Sequence, residues 1–450
     1  MEKSKLTDKK MGNFLFLLCW CVYFASYIGR LNYSSVMSSI IGENLLSFSQ
    51  AGSISMVYFF AYGTGQLCNG ILGDRLKPQS MIFFGLFCSG ISNLFMGLFR
   101  SFPAMAVLWG INGYMQSMIW PPIIRIFAEK YTEERKRQCS VDIVSSMAVG
   151  TLASYFLSAC AMKWISWQAA FYLAAGIMVL IALGWSAGYG AVERFLRSER
   201  AAEGGPQGNL SGFLGNGALL EQEKTAACRE ETGKEKAGAA AAGKEQAAEN
   251  GRKQISLPAL VAGSGLAGIL LPVMIHGVLK DGITQWVPTY IYDCFDVTSS
   301  FSVIVTMILP LINLTGAYMA RYAGRKHPDE EVRTSVIFFG GALISLMMLL
   351  LFGKYHVLLA VLLFAVITAS MMAVNTLYVN MIPLHFEKQG RVAAVSGMLN
   401  SVAYIGSALS TFTIGIMVEK AGWTVTMAGW AAITAAALGI CVVMKKRKFD

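Results

Sequence analysis

The stretch "FLFLLCWCVYFASYIGRLNYSSVMSSII" at residues 14–41 is long and apolar enough to cross a bilayer, yet it carries a guanidinium at Arg30. As a helix it spans about 42 Å, against a hydrocarbon core of about 30 Å. Arg30 falls about 24 Å from its start. A charge at that depth costs from about 2.5 kcal/mol upward, and it faces a cavity or a partner rather than lipid. The partner must be sought in the rest of the chain.

Of 450 residues, 55% are hydrophobic and 14% charged, with a mean hydropathy of +0.51. That is too apolar for a soluble chain of this length. Twelve windows match the bilayer: 14–41, 49–73, 79–99, 103–129, 138–162, 167–190, 258–292, 299–322, 333–353, 357–384, 390–418 and 423–444. Each is read as a helix, because lipid offers an unpaired backbone group no partner.

The net charge of +10 raises the possibility of a nucleic-acid partner, and its distribution argues against one. The termini and the even-numbered short connections hold twenty Lys and Arg, among them Lys9, Lys10, Lys136, Arg137, Lys445 and Lys446. The odd-numbered connections hold Arg100, Lys163, Lys354 and Lys420. This positive-inside bias puts both termini in the cytoplasm of a multi-pass cell-membrane protein. The nine cysteines form no C-x-x-C pair and read as small apolar packers. The first span has no cleavage site and reads as a retained helix.

Residues 192–256 stand apart. They are rich in Gly, Ala, Glu and Lys, with ten acidic and ten basic residues between Glu193 and Lys253. Such a segment cannot bury a core and reads as a flexible cytoplasmic linker between bundles at 1–191 and 257–450. The halves repeat weakly. "GILGDRLKPQ" (70–79) after the second span is matched by "GAYMARYAGRK" (316–326) after the eighth. In that register Lys280, in "HGVLKDGITQWVPTY" (276–290), falls close to Arg30.

Two cations at one level about a pseudo-twofold axis point to a central anion site. The alternative is that each pairs with a buried carboxylate and only holds helices together. Few carboxylates lie at that depth, and Asp281, next to Lys280, is expected to point about 100° away on a regular helix. Helical spacing puts Tyr23, Tyr27 and Arg30 on one broad face. Tyr58, Tyr62 and Gln66 share another, as do Asn112, Gln116 and Trp120 on the fourth span and Asn400 and Tyr404 on the eleventh. Each stripe could also be helix packing. His276, one turn before Lys280, could be an anion ligand, a proton carrier or a satisfied core residue. Gly70, Asp74 and Arg75 at the cytoplasmic mouth are candidate gating residues, and Pro121–Pro122 must break the fourth span. No catalytic grouping, metal-ligand cluster or phosphate-binding glycine loop is present in the sequence, so no enzyme, metal or cofactor is expected.

These residues resemble the major facilitator superfamily and, within it, the organophosphate:phosphate antiporter family. The resemblance is carried by Tyr23, Tyr27 and Arg30, by Tyr62, by Asn112-Gly113, Gln116 and Trp120-Pro121-Pro122, and by Trp286, Pro288, Thr289 and Tyr290. The chain departs from that family in having Lys280 for an arginine, Gly277 for a tyrosine, Gln66 for a lysine and Met147 for a histidine. The resemblance implies an all-α membrane protein of twelve transmembrane helices in two six-helix pseudo-symmetric bundles. It implies a secondary transporter of a sugar phosphate or glycerol phosphate in exchange for inorganic phosphate. Arg30, Lys280, Tyr23, Tyr27, Tyr62, Trp120, Gln116, His276 and Tyr404 would bind substrate. The expected partners are a small anion, inorganic phosphate and the bilayer, with the chain a monomer. Two alternatives remain: a proton-coupled symporter of another organic anion using Asp281, Asp142 or His276, and a non-transporting sugar-phosphate sensor.

Overall fold

The computed structural model describes Leu6 and residues 8–72, 76–203, 261, 263–326, 330–389 and 391–445. Among these the regular elements are all helical. The first half comprises α1 (Lys9–Gly42), α2 (Phe48–Leu72), α3 (Pro78–Leu98), α4 (Phe102–Ser117), α5 (Trp120–Lys130), α6 (Glu133–Asp142), α7 (Val144–Trp164) and α8 (Trp167–Glu203). The second begins with α9 (Leu270–Gly277), which runs through a π-turn at Val278–Gly282 into α10 (Ile283–Phe295). Then come α11 (Ser299–Thr306), α12 (Ile308–Lys326), α13 (Glu331–Phe352), α14 (Val357–Asn375) and α15 (Val392–Met444).

Local chemistry sets several boundaries. The Asp8 carboxylate caps α1, accepting from the amides of Lys10 and Met11 at 2.6 and 2.9 Å. Prolines sit in the first turns of α3, α4 and α5, where a missing N–H leaves no bond unmade. The fourth span is accordingly broken between Ser117 and Trp120, where the double proline demanded it.

Among the described residues nine helical stretches are long and apolar enough to cross a membrane. The longest, Ala394–Met444, has 51 residues, or about 76 Å if straight, more than twice the bilayer core. It holds the eleventh and twelfth expected spans, separated at Gly422, whose φ of 76° lies in the left-handed region. The arm beyond runs back: Trp423 donates to Asp293 near the far end of α10 at 2.6 Å, while Met444 reaches Gly268 at the start of the same span.

Large apolar side chains such as Leu17, Phe60, Leu180, Ile337 and Leu351 point outward, as a bilayer solvent permits. The chain beyond the sixth window differs from expectation. α8 continues to Glu203, because Val192 and Leu196 remain apolar and bury against the cluster containing Leu6 and Leu15. Residues 204–256, like Asp74 and Arg75, lie outside the described residues; Gly70 is within α2.

α2 lies along α15, α7 against α11, and α1 against α10, so three seams join the halves. The first is tight at the end where α2 begins. The Ser49 amide donates to Glu419 Oε2 at 2.9 Å, Gln285 Nε2 donates to Ser55 Oγ at 3.3 Å, and Phe48 packs on Trp286 and Trp423. Two glycines let the backbones touch. A Cβ at Gly52 would fall 2.3 Å from the Thr411 carbonyl oxygen, and one at Gly415 would fall 2.3 Å from that of Phe48.

Candidate functional site

Below this seam lies a cavity of about 140 Å³ between the halves. Arg30 on α1 and Lys280 in the π-turn both line it, together with Tyr27, Tyr58, Phe59 and Tyr404. The two cations that the internal repeat placed at one level therefore face one space.

Their surroundings differ. Arg30 stands in an aromatic cage, with its Cζ 4.7 Å from the ring centre of Tyr62, 5.6 Å from Tyr27 and 5.8 Å from Tyr58. Phe59 and Tyr404 lie at 6.0 Å. Ring faces attract a desolvated guanidinium by up to about 2 kcal/mol each. Among the described residues no carboxylate lies within 4 Å of Arg30. Arg30 is thus a cation held by rings rather than by a carboxylate.

Lys280 has a carboxylate beside it. Its Nζ lies 3.1 Å from Asp281 Oδ1, which corrects the expectation that neighbours on a helix diverge. The reason is local. The flexible four-carbon stem of Lys280 lets its Nζ reach the carboxylate of its neighbour within the π-turn at Val278–Gly282. Ser407 of α15 donates to Asp281 Oδ2 at 3.0 Å and fixes the carboxylate. Thr284 donates to the Lys280 carbonyl at 2.5 Å. α15 comes this close because a Cβ at Gly277 would meet the Ala403 carbonyl oxygen at 2.1 Å. A tyrosine has no room at that position.

The other candidates are arranged in layers around these two. Tyr62 is buried, stacks on Tyr58 and meets Tyr404 at a tilt of 59°, closing the cage. Tyr23 lies behind it, 5.3 Å from Tyr27 and 4.8 Å from Trp120 between ring centres, so Tyr23 and Trp120 back the cage rather than line the cavity. Gln116 is buried and accepts from the Tyr58 hydroxyl at 3.2 Å. His276 is fully buried, its ring nitrogens 2.6 Å from the Val273 carbonyl oxygen and 3.1 Å from Asn375 Oδ1, away from the cavity lining. Trp109, Thr151, Thr284, Gln285 and Asn313 also line the cavity, as does Met147. Lone polar residues in apolar runs gave no sign of this, although Gln285 and Thr284 sit in the same face as Lys280 once the π-turn is known.

A buried amide chain holds the cage in place. Asn32 donates to Asn93 at 2.8 Å, and Asn93 and Asn112 both donate to the Gly29 carbonyl, at 3.2 and 3.0 Å. Gln116 donates to Asn112 at 3.2 Å and accepts from Tyr58. The residue before Arg30 is thereby tied through α3 and α4 to a ring on α2. Replacing Asn93 by leucine takes away the acceptor of the Asn32 amide, while Asn112 keeps the Gly29 carbonyl and Gln116, and is expected to destabilise the protein by about 1–2 kcal/mol. A lower melting temperature in detergent, with binding weakened as well, is the expected result.

The chain matches the Major Facilitator Superfamily model over residues 19–411. It is 22% identical over 441 residues to the "Probable hexose phosphate transport protein" of Chlamydia trachomatis, covering 94% of this chain and 88% of that one. It is likewise 22% identical over 434 residues to the "Membrane sensor protein UhpC" of Salmonella typhimurium, covering 96% and 90%. Its fold matches the crystal structure of a bacterial homologue of the human lysosomal transporter Spinster, in an inward-facing and unoccupied conformation, with a TM-score of 0.70, 12% identity and 98% of each chain covered.

Twelve apolar windows, two helical halves and one cavity between them belong to a membrane transporter fold rather than to an enzyme, and the chain belongs to the Major Facilitator Superfamily. Within it, the similar proteins are members of the organophosphate:phosphate antiporter family, the family that the motifs of the first, fourth and seventh spans resemble.

Proposed function

We propose that this protein is a secondary transporter that carries a sugar phosphate across the cell membrane in exchange for inorganic phosphate, by rocking of its halves around the central cavity. The observation that supports it is the meeting of Arg30, from the first half, and Lys280, from the second, in one cavity. An anion bound to both would draw the halves together. Arg30 offers a planar fork to two phosphate oxygens, and Lys280 a compact point charge. The cavity of about 140 Å³ between the halves has room for a phosphate group. Relatives named as hexose phosphate transporters support the same reading.

The site residues act in three ways in this reading. Arg30 and Lys280 bind phosphate; Tyr27, Tyr62 and Tyr404 hold the guanidinium and offer hydroxyls; and Tyr23, Trp120 and Gln116 support those rings. The basic residues of the even-numbered connections support termini that both face the cytoplasm, and in this reading the protein works as a monomer with one site.

The test is uptake of labelled glucose 6-phosphate into proteoliposomes loaded with phosphate. Uptake is expected to require internal phosphate and to persist when a protonophore removes the proton gradient. Uptake that ignores internal phosphate and collapses with the protonophore would favour a proton-coupled symporter. Saturable binding with no uptake would favour a sensor, the role that the names of some relatives describe.

A further inference from the structure

The two cations of the cavity are not equivalent. Arg30 faces rings, whereas Lys280 is already engaged by a carboxylate 3.1 Å away. That carboxylate is not a chance neighbour. Neighbours on a helix are expected to diverge, and the flexible stem of Lys280 brings its Nζ to Asp281 within the π-turn at Val278–Gly282. Its second oxygen is bonded by Ser407 at 3.0 Å, and Ser407 comes from another span, α15. Lys280 and Asp281 are each about one-fifth exposed, at 18% and 19%, and both line the cavity. The pair therefore stands where an incoming anion arrives.

Resting on the reading above, we propose that Asp281 is a built-in competitor for the substrate anion: it occupies Lys280 while the site is empty, and phosphate must displace it. Capture at Lys280 is then an exchange of one anion for another, while capture at Arg30 is an addition. With the carboxylate charged, the three groups sum to one positive charge, so a phosphate dianion is held less firmly than two unopposed cations would hold it. Weakened holding has a use in a carrier, because the anion bound on one side must be released on the other. When phosphate leaves, Asp281 returns to Lys280, and the released lysine is never left unpaired in a low-dielectric space. The single Ser407 proton can be given to Asp281 Oδ2 or, at 3.1 Å, to the Gly277 carbonyl, so Ser407 stays beside the carboxylate when it leaves Lys280.

The same logic assigns Asp281 a part in specificity. A ligand that brings a second negative charge near Lys280 meets the carboxylate, and a ligand with a single phosphate group reaches Lys280 by displacing it. Asp281 therefore selects against anions that carry a further charge beside the phosphate.

The experiment is titration of the whole protein in detergent with inorganic phosphate, comparing the parent with Asp281→Asn and Asp281→Ser. Asparagine keeps the shape and can still accept from Ser407; serine is the second variant should asparagine misfold, with melting curves reporting folding in both. The expected result is binding at least tenfold tighter in both variants, about 1.4 kcal/mol, together with slower phosphate exchange in proteoliposomes because release is held back. Unchanged or weaker binding in the variants, with the parent binding phosphate, overturns the competitor role and leaves the transporter reading in place. Absence of binding in the parent and in both variants overturns both.

Discussion

Arg30→Gln is expected to lower affinity for phosphate and its esters at least thirtyfold, with the fold intact. The guanidinium makes no ion pair with a carboxylate among the described residues, so its removal leaves no buried counter-charge behind. What goes is a charge-assisted contact in a desolvated space, worth about 2 kcal/mol or more. The five surrounding rings keep each other packed, Tyr58 on Tyr62 and Tyr62 on Tyr404, so the cage should survive a neutral side chain. Arg30→Lys should also lose most binding, because a point charge cannot take two oxygens in the geometry of the fork. Lys280 is expected to behave otherwise. Lys280→Arg keeps both the charge and the partner and should bind within a few-fold of the parent. Lys280→Gln should lose binding and also stability, since it strands Asp281; adding Asp281→Asn should restore the melting temperature. Titration and melting of these variants in detergent decide the matter. Parent-like binding by Arg30→Gln would mean that the cage is structural.

The second large effect is expected at the seam of α2 and α15. Gly52→Leu or Gly415→Leu places a side chain where backbone oxygens of the other half stand 2.3 Å from the first added carbon. Neither neighbour is a flexible side-chain tip, so the halves cannot close as they do here. Exchange in proteoliposomes should fall to background, while phosphate affinity should stay within a few-fold of the parent, because neither glycine reaches the cavity. A cysteine placed at Ser55 gives an independent reading. Ser55 is buried and bonded to Gln285 across the seam, so labelling by a membrane-impermeant maleimide from outside should be slow in the parent and fast in the leucine variants. Normal exchange in either leucine variant would mean that this seam does not have to close.

Much of this architecture is legible in the chain, because a bilayer imposes strong rules. Apolar windows, the sidedness of lysine and arginine, and the double proline at 121–122 each act through one physical constraint and need no knowledge of neighbours. The shared level of Arg30 and Lys280 came from the internal repeat. What the chain conceals depends on partners or on local departures from a regular helix. Asp281 looks turned away until the reach of the Lys280 side chain is seen. Asn93 reads as one polar residue in an apolar run, although it joins three spans. The spacing of Tyr58 and Gln116 suggests one polar cavity, whereas they bond to each other, with Tyr58 lining the space and Gln116 behind it. Residues 192–203 read as the start of a linker because their composition turns polar, but two apolar side chains a turn apart suffice to keep α8 going.

The π-turn has a wider meaning for the seventh span. One added residue within a single turn rotates everything before it relative to everything after it by roughly the angle of one residue, about 100°. The span is thus two short rods set at different azimuths on one axis. The lower rod turns His276 to Asn375 and Gly277 to Ala403, both within its own half. The upper rod turns Gln285 to Ser55 and Trp286 to Phe48, both in the opposite half. Deleting one residue here would straighten the helix and force a choice between those two allegiances. The seventh span works as a crankshaft, and its throw falls at Lys280.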